Sequence, residues 1–500
     1  MKTAQSSSGR ALRIGADGAI PWPHEKQPRA RLAELIARAA VIAVTGGLAS
    51  VACPVGVGRA HAADFYVNNS SASCSDAGPG TQDAPFCTIS AALAAHHDPG
   101  TTINVMPGRY REQVTVPASG ASGSPITFKA LSSSNGPVIV DCTADFSDPA
   151  LWVQYSGDVW LASSVSWAPV QVFADDARLT PSTASPSALP PKSFVYVAGS
   201  GLYVNAGGGN PGSHQTQVGH RLYGFYASGK TWVAIDGFTV TRCEDRCIQL
   251  SNSSSNIDVL GNTVSLSGRF GMQASGCSAI RIAGNRVFDN AHHGISLVAG
   301  TTGATIEDNE SFRNAHPTVR QANGLYLFGC PGNVIQRNRW HDNQDTGEQI
   351  QNGSNNNVSL QNLSWNNGDH GYDHCGSTGN IHIGDVAYGN YKDGFSFECD
   401  SPGSRVFNCI AVENGLTTNE FDLWVEGTST SGFESNDNLF WNSTSQPPVK
   451  YDTTLYSSVA DYSAASGQDT RTKQADPRFA HPGQGDFHLL AGSPAIDDAN

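Results

Sequence analysis

Six glycines, Gly271, Gly294, Gly324, Gly347, Gly371 and Gly394, recur at intervals of 23, 30, 23, 24 and 23 residues. The same beat runs through Asn262, Asn285, Asn309, Asn338, Asn362, Asn408 and Asn438, with Asp385 in the one gap. It runs again through Asn290, Asn314, Asn343, Asn367, Asn390 and Asn414. A fixed period of this length marks a repeat architecture. Each glycine opens a short apolar–polar–apolar segment, such as Met272-Gln273-Ala274, Ile295-Ser296-Leu297 or Leu325-Tyr326-Leu327. A period of two turns the first and third residues inward and the middle one outward. No helical stretch separates these segments, which excludes βαβ units. A propeller blade needs roughly 40 residues, and a leucine-rich repeat would carry leucine where this chain has Asn and Gly. Asparagine tolerates the left-handed backbone of a tight turn, and aligned asparagines stack into amide ladders. The pattern predicts an all-β chain, a right-handed parallel β-helix with coils of about 23 residues whose shared core no single coil can bury.

An open solenoid end exposes strand edges and core, so it needs a cap. Residues 88–97, after Pro85, read as a short amphipathic helix in that role. Residues 63–144 are expected to hold this cap and the first coils, with strands at Thr102–Met106, Val114–Val116 and Ile126–Ala130. Residues 145–225 break the beat, with Trp152, Trp160, Trp167 and a Ser/Pro-rich stretch, and read as an insertion beside those coils. Regular coils fill 226–445, and 446–500 form a C-terminal extension.

Residues 1–62 read as a signal peptide. A basic stretch (Lys26, Arg29, Arg31, Arg38) leads into an apolar run and ends at Ala60-His61-Ala62, a small-x-small cleavage pattern. Thr45-Gly46-Gly47 and Pro54 interrupt a run barely long enough to span a bilayer. The expectation is a secreted monomer with no membrane attachment after cleavage. The whole chain has a formal charge of −14, and without 1–62 it holds 22 basic and 41 acidic residues, a net −19. That sign repels nucleic acid. An acidic polymer would need a metal or a few placed cations to be held. Ten of the eleven cysteines lie beyond residue 62, an even number suited to an oxidising compartment. Cys74 and Cys87 flank a Gly/Asp-rich loop and are expected to pair, and Cys243 and Cys247 are close enough to pair across a turn.

Aligning the coils on their glycines sets side chains in columns about 4.8 Å apart. Two residues before each glycine stand Arg269, His292, Ala322, Asp345, Asp369 and Lys392. One before stand Phe270, His293, Asn323, Thr346, His370 and Asp393. Two after, facing out, stand Gln273, Ser296, Tyr326, Gln349, Asp373 and Ser396. Asp345, Asp369 and Asp373 should therefore crowd together, with Asp393 one coil on. Crowded carboxylates need a cation, a shared proton or nearby Lys and Arg. Three Asp oxygens plus water suit Ca²⁺, so Asp345, Asp369, Asp373 and Asp393 are the candidate metal ligands. Lys392, the one lysine between Lys230 and Lys450, is the candidate base, and His370 its rival. Arg320, on the longer loop of the 30-residue coil, is placed to pair with a substrate carboxylate. Arg269, His292, His293 and Tyr326 are the candidate sugar contacts. The plainer readings are that Asp345 and Asp393 shape corners, that Glu348 and His374 face inward, and that Trp340 and Trp365 are packing residues.

Several segments resemble bacterial secreted β-helix proteins related to polysaccharide lyases, especially the ninth lyase family. They are Cys74-Ser75-Asp76 through Pro85-Phe86-Cys87-Thr88-Ile89, then Pro107-Gly108-Arg109-Tyr110, Pro125-Ile126-Thr127-Phe128, Asp476-Pro477-Arg478-Phe479 and Ser493-Pro494-Ala495-Ile496-Asp497. Relatives commonly run on past the last of these, so a truncated tail is an expectation. The resemblance implies an aspartate cluster that holds calcium, calcium that engages a uronate carboxylate, and a basic side chain that removes the C5 proton as the C4 oxygen leaves. His370 departs from it, standing where another acid is expected. The expected function is calcium-assisted β-elimination on an acidic polysaccharide such as pectate or alginate. A C5 epimerase, a glycoside hydrolase and a non-catalytic carbohydrate-binding surface protein are the alternatives on the same fold.

Overall fold

The computed structural model describes residues 63–132 and 136–496. The expected signal peptide lies outside the described residues, as does Asp497 of the closing motif. The chain winds into a parallel β-helix with three sheets. One runs in twelve strands from Ala63–Val67 to Glu434–Asn436, and one in eleven from Gly108–Tyr110 to Leu439–Trp441. The third, which carries the candidate site, runs in twelve from Val114–Thr115 to Thr454–Tyr456. Its register keeps the expected outward column, pairing Ser296 with Tyr326, Tyr326 with Gln349, Gln349 with Asp373 and Asp373 with Ser396.

The asparagine columns are buried amide ladders. Nδ2 of Asn262, Asn285, Asn309, Asn338 and Asn362 each donates to the carbonyl or carboxylate oxygen one coil on, ending at Asp385. A second ladder runs from Asn290 to Asn414 and ends at Asp422. A third, through Asn333, Asn357 and Asn380, occupies another corner. The left-handed backbone falls on the residue before the first-ladder asparagine: Gly261, Gly284, Asp308, Arg337, Gln361 and Gly384. Asn408 is such a residue (φ 53°), not a rung. Cys409 takes the rung, its N–H donating to Asn438 Oδ1.

The glycine column is explained by the second ladder. A Cβ on Gly271, Gly294, Gly324, Gly347, Gly371 or Gly394 would stand 2.7–2.9 Å from the Nδ2 of a ladder asparagine. These glycines make room for the ladder. Gly347→Ala, whose Cβ would also meet Ser364 Oγ at 2.0 Å, is expected to cost about 1–3 kcal/mol, read as a lower urea midpoint.

The N-terminal cap is a helix over Ile89–Ala95. Thr88 Oγ1 accepts from Ala91 N–H, and Glu112 accepts from the N–H groups of Ile89 and Ser90. Ile89, Ala92 and Leu93 plug the first coils. The strands between Thr143 and Gly219 form two small sheets around their own core of Phe146, Trp152, Val172, Leu202 and Val204. Buried Glu244 ties this insertion to the coils by accepting from the N–H groups of Val170 and Gln171. Gly219 leaves the space, since a Cβ there would lie 1.7 Å from Glu244 Oε1. Past the coils, Val449–Tyr451 and Thr454–Tyr456 extend the site sheet, and the helix Val459–Ser466 closes the core with Tyr462.

Burial raises the Glu244 carboxyl to about 7, against the two N–H donors that favour its charge. A carboxyl whose folded value exceeds its unfolded one binds a proton on folding. Its contribution is complete below the unfolded value of about 4.5 and is lost as pH rises to about 7, a change on the order of 3 kcal/mol. Denaturant titrations of Glu244→Gln from pH 4.5 to 7.5 are expected to lack that component of the wild-type slope.

Cys74 pairs with Cys87 as expected, and two further disulfides join Cys142 to Cys243 and Cys375 to Cys399. The Cys243–Cys247 expectation is corrected. Cys247 is a buried free thiol, and Cys243 meets Cys142 just past the ends of the paired strands Val138–Asp141 and Thr239–Thr241, one residue out of step with their register.

Candidate active site

The site lies where chain enters the site sheet on four successive coils. Backbone bonds stack the expected column: Asp345 N–H donates to Ala322 O, Asp369 N–H to Asp345 O, and Lys392 N–H to Asp369 O. Asp369 is the hub. Its Oδ1 lies 2.9 Å from Arg320 Nη1 and 3.0 Å from Lys392 Nζ. Arg320 Nε stands 3.5 Å from Asp345 Oδ1. The loop of the 30-residue coil thus delivers Arg320 two coils away. Asp373 Oδ2 accepts from Gln349 Nε2 at 2.8 Å.

Charge is crowded here. Burial, then the neighbouring Asp369, raises the Asp345 carboxyl to about 6. Burial also raises Asp373, against His370 and Gln349, which favour its charge. Burial disfavours a charged His370, but Asp393, Asp373 and Asp369 outweigh it and push the imidazole up to about 9. For Lys392, burial likewise works downward and Asp369 prevails, holding the ammonium above its ordinary value.

The expected metal quartet divides. Asp345, Asp369 and Asp373 present carboxylate oxygens, the donors calcium takes, and burial is the main cause that raises the Asp345 and Asp373 carboxyls. Arg320 and Lys392 already neutralise Asp345 and Asp369 in this arrangement, so the three are matched to calcium by donor type alone. Asp393 pairs instead with His370, with Oδ2 3.1 Å from His370 Nδ1 and Oδ1 accepting from Phe421 N–H. Glu398 joins this second group, 3.7 Å from His370 Nε2. Burial, then Asp373, raises its carboxyl to about 7. Sequence reasoning missed Glu398 because it stands four residues after its glycine, where earlier coils carry Phe328, Gln351 and Cys375. The available signal was an acid at an outward position beside a cysteine.

Two coils toward the N-terminus, the expected sugar contacts form an aromatic bank. Tyr326 stacks on His293 at 4.2 Å and His293 on Phe270 at 5.3 Å, with Arg269 over the Phe270 ring. His293 is buried inside the stack, whereas His292 and Tyr326 are half-buried and Arg269 exposed. Burial lowers the His292 imidazole to about 4 and the His293 imidazole well below its ordinary value, which favours neutral rings. The register puts Tyr326 two coils, about 10 Å, from Asp373 on one face.

Behind the site the apolar core gives way to a polar layer. Glu348 accepts from Trp340 Nε1. His374 and His382 meet at 3.2 Å, and His382 Nδ1 lies 2.8 Å from Asp385 Oδ2. Glu348, His374 and Trp340 face inward as expected, and Trp365 packs at a corner against His341 and Phe487.

The family described as "right handed beta helix region" matches residues 193–319. The uncharacterised protein YwoF of Bacillus subtilis is 23% identical over 84% of this chain and 90% of its own length. A pectate disaccharide-lyase of Dickeya chrysanthemi is 31% identical over a segment covering 29% of this chain and 21% of that enzyme. Among solved structures, XylC in complex with xylose superposes with a TM-score of 0.58 at 15% identity, over 84% of this chain and 87% of that one. The chain is a right-handed parallel β-helix, and one segment of it is similar to a pectate disaccharide-lyase.

Proposed function

We propose that this protein is a secreted lyase that cleaves a uronate-containing polysaccharide by β-elimination. The observation that carries the reading is the meeting of Arg320 and Lys392 on Asp369, on an outward sheet face that continues into the aromatic bank. The segment similar to a pectate disaccharide-lyase supports it. Sugar rings would lie along the face, against Tyr326, His292 and Arg269. Arg320 would leave its carboxylate partners for the uronate carboxylate, pairing through two N–H groups. Lys392 Nζ would take the C5 proton, the C4–O bond would break as the C4–C5 double bond forms, and the departing oxygen would take a proton from water.

Asp369 holds the Lys392 ammonium charged, and a base must be free of its proton. Ca²⁺ held by Asp345, Asp369 and Asp373 would supply positive charge at the uronate carboxylate and offset Asp369. His370 is the weaker candidate for the base, since its ring is buried beside Asp393 while the Lys392 ammonium is partly exposed on the open face.

The test is a panel of pectate, alginate and neutral glycans assayed with Ca²⁺ and with chelator. The expected result is ultraviolet absorbance from an unsaturated uronate end, on acidic polymers, lost with chelator. New reducing ends without that absorbance would identify a hydrolase, and inverted uronates in uncut chains an epimerase. Binding without turnover, unchanged by Asp369→Ala, would leave a carbohydrate-binding protein.

A further inference from the structure

We infer that His370, Asp393 and Glu398 form a second cation site, which takes a first-row transition ion such as Mn²⁺ or Zn²⁺ in preference to Ca²⁺. Among the described residues, these three are a set of metal-donor side chains whose ligand atoms all lie within 4.8 Å of one another. Metal bonds of about 2.1 Å put donor atoms roughly 3–3.5 Å apart. His370 Nδ1 and Asp393 Oδ2 are 3.1 Å apart, and His370 Nε2 and Glu398 Oε1 are 3.7 Å apart. An ion would take one of the two ring nitrogens, with Asp393 and Glu398 supplying an oxygen each from within 4.8 Å.

A second observation points into the same space. His370 is 4% exposed and Asp393 fully buried, yet neither His370 Nδ1 nor Asp393 Oδ2 has a well-formed hydrogen bond. Buried polar atoms are rarely left so. They stand 3.1 Å apart, the spacing of two neighbouring donors on one ion.

The donors are also held from behind, as metal ligands usually are. Asp393 Oδ1 accepts from Phe421 N–H at 2.7 Å, which leaves Oδ2 turned to the site. Glu398 Oε1 accepts from Ser396 Oγ at 2.6 Å. The Cys375–Cys399 disulfide ties the end of the Glu398 strand to the preceding coil. Asp369 Oδ2, 3.8 Å from His370 Nε2, stands at the other side of the ring. Glu398 is half-buried, which gives the ion a way in from the open face.

The donor set decides which ion. Calcium binds oxygen and wants six to eight such ligands. One imidazole nitrogen with two carboxylates suits Mn²⁺ or Zn²⁺ and leaves positions open for water or a substrate oxygen. The histidine that departs from the family pattern is the residue that changes the preference.

The experiment is isothermal titration of chelator-stripped protein with MnCl₂, ZnCl₂ and CaCl₂, paired with thermal melting. It uses no substrate, so it stands apart from the lyase assay. The expected result is one Mn²⁺ or Zn²⁺ bound per chain with a rise in melting temperature. Glu398→Gln and His370→Ala should each weaken that binding at least about tenfold, and Asp345→Asn should leave it intact while weakening Ca²⁺. Glu398→Gln keeps the shape of the side chain at a half-exposed position, so it reports even if His370→Ala misfolds. No Mn²⁺ or Zn²⁺ binding by the folded wild type, or binding equally strong in Glu398→Gln, would overturn the assignment.

Discussion

Lys392→Ala is expected to lower kcat on uronate polymer by about 10²–10⁴-fold, the usual worth of a positioned general base, with a smaller change in KM. The substitution removes an ammonium that is partly exposed and paired with Asp369. Asp369 keeps Arg320 as a partner, so the fold should melt where the wild type does. Arg320→Ala should divide differently. A guanidinium that leaves its internal partners to clamp a substrate carboxylate contributes to binding, so KM should rise about tenfold or more. Steady-state kinetics of the two variants separate the roles. Full activity in Lys392→Ala with none in His370→Ala would move the base to His370.

The second large effect is structural. Asn338→Ala should destabilise the chain by about 3–5 kcal/mol, because it strands two buried donors and takes a donor from two acceptors. Asn338 Oδ1 accepts from both the N–H and the Nδ2 of Asn309, each at 3.0 Å. Its Nδ2 donates to Ile306 O and Asn362 Oδ1, each at 2.9 Å. Asn408→Ala is the control, a left-handed corner residue outside the ladder, and should cost about 1 kcal/mol. Urea denaturation followed by circular dichroism reads both. Equal losses in the two variants would mean that the ladder adds nothing beyond turn preference.

The architecture was legible because a solenoid writes its geometry into the period. Gly347 and Asn367 are separate columns in the sequence, and the fold makes them one device, the glycine leaving room for the amide. The outward column Tyr326, Gln349, Asp373 and Ser396 follows from strand alternation alone. The period also brought Asp345, Asp369 and Lys392 onto one line along the axis, since each coil repeats the backbone path of the last.

What the period does not carry is which side chain turns to which. The columns that hold Asp369 and Asp393 are equally regular, yet Asp369 turns to Arg320 and Lys392 while Asp393 turns to His370. Those choices depend on a loop longer than its neighbours, on Phe421 arriving from a later coil, and on burial that no local pattern encodes. Glu398 and the Cys142–Cys243 bond were hidden for the same reason. Sequence spacing fixes where backbones stack, because hydrogen bonding between coils is repetitive. Side-chain partners are decided by packing and electrostatics among residues far apart in the chain, and these exist only once the coils have closed.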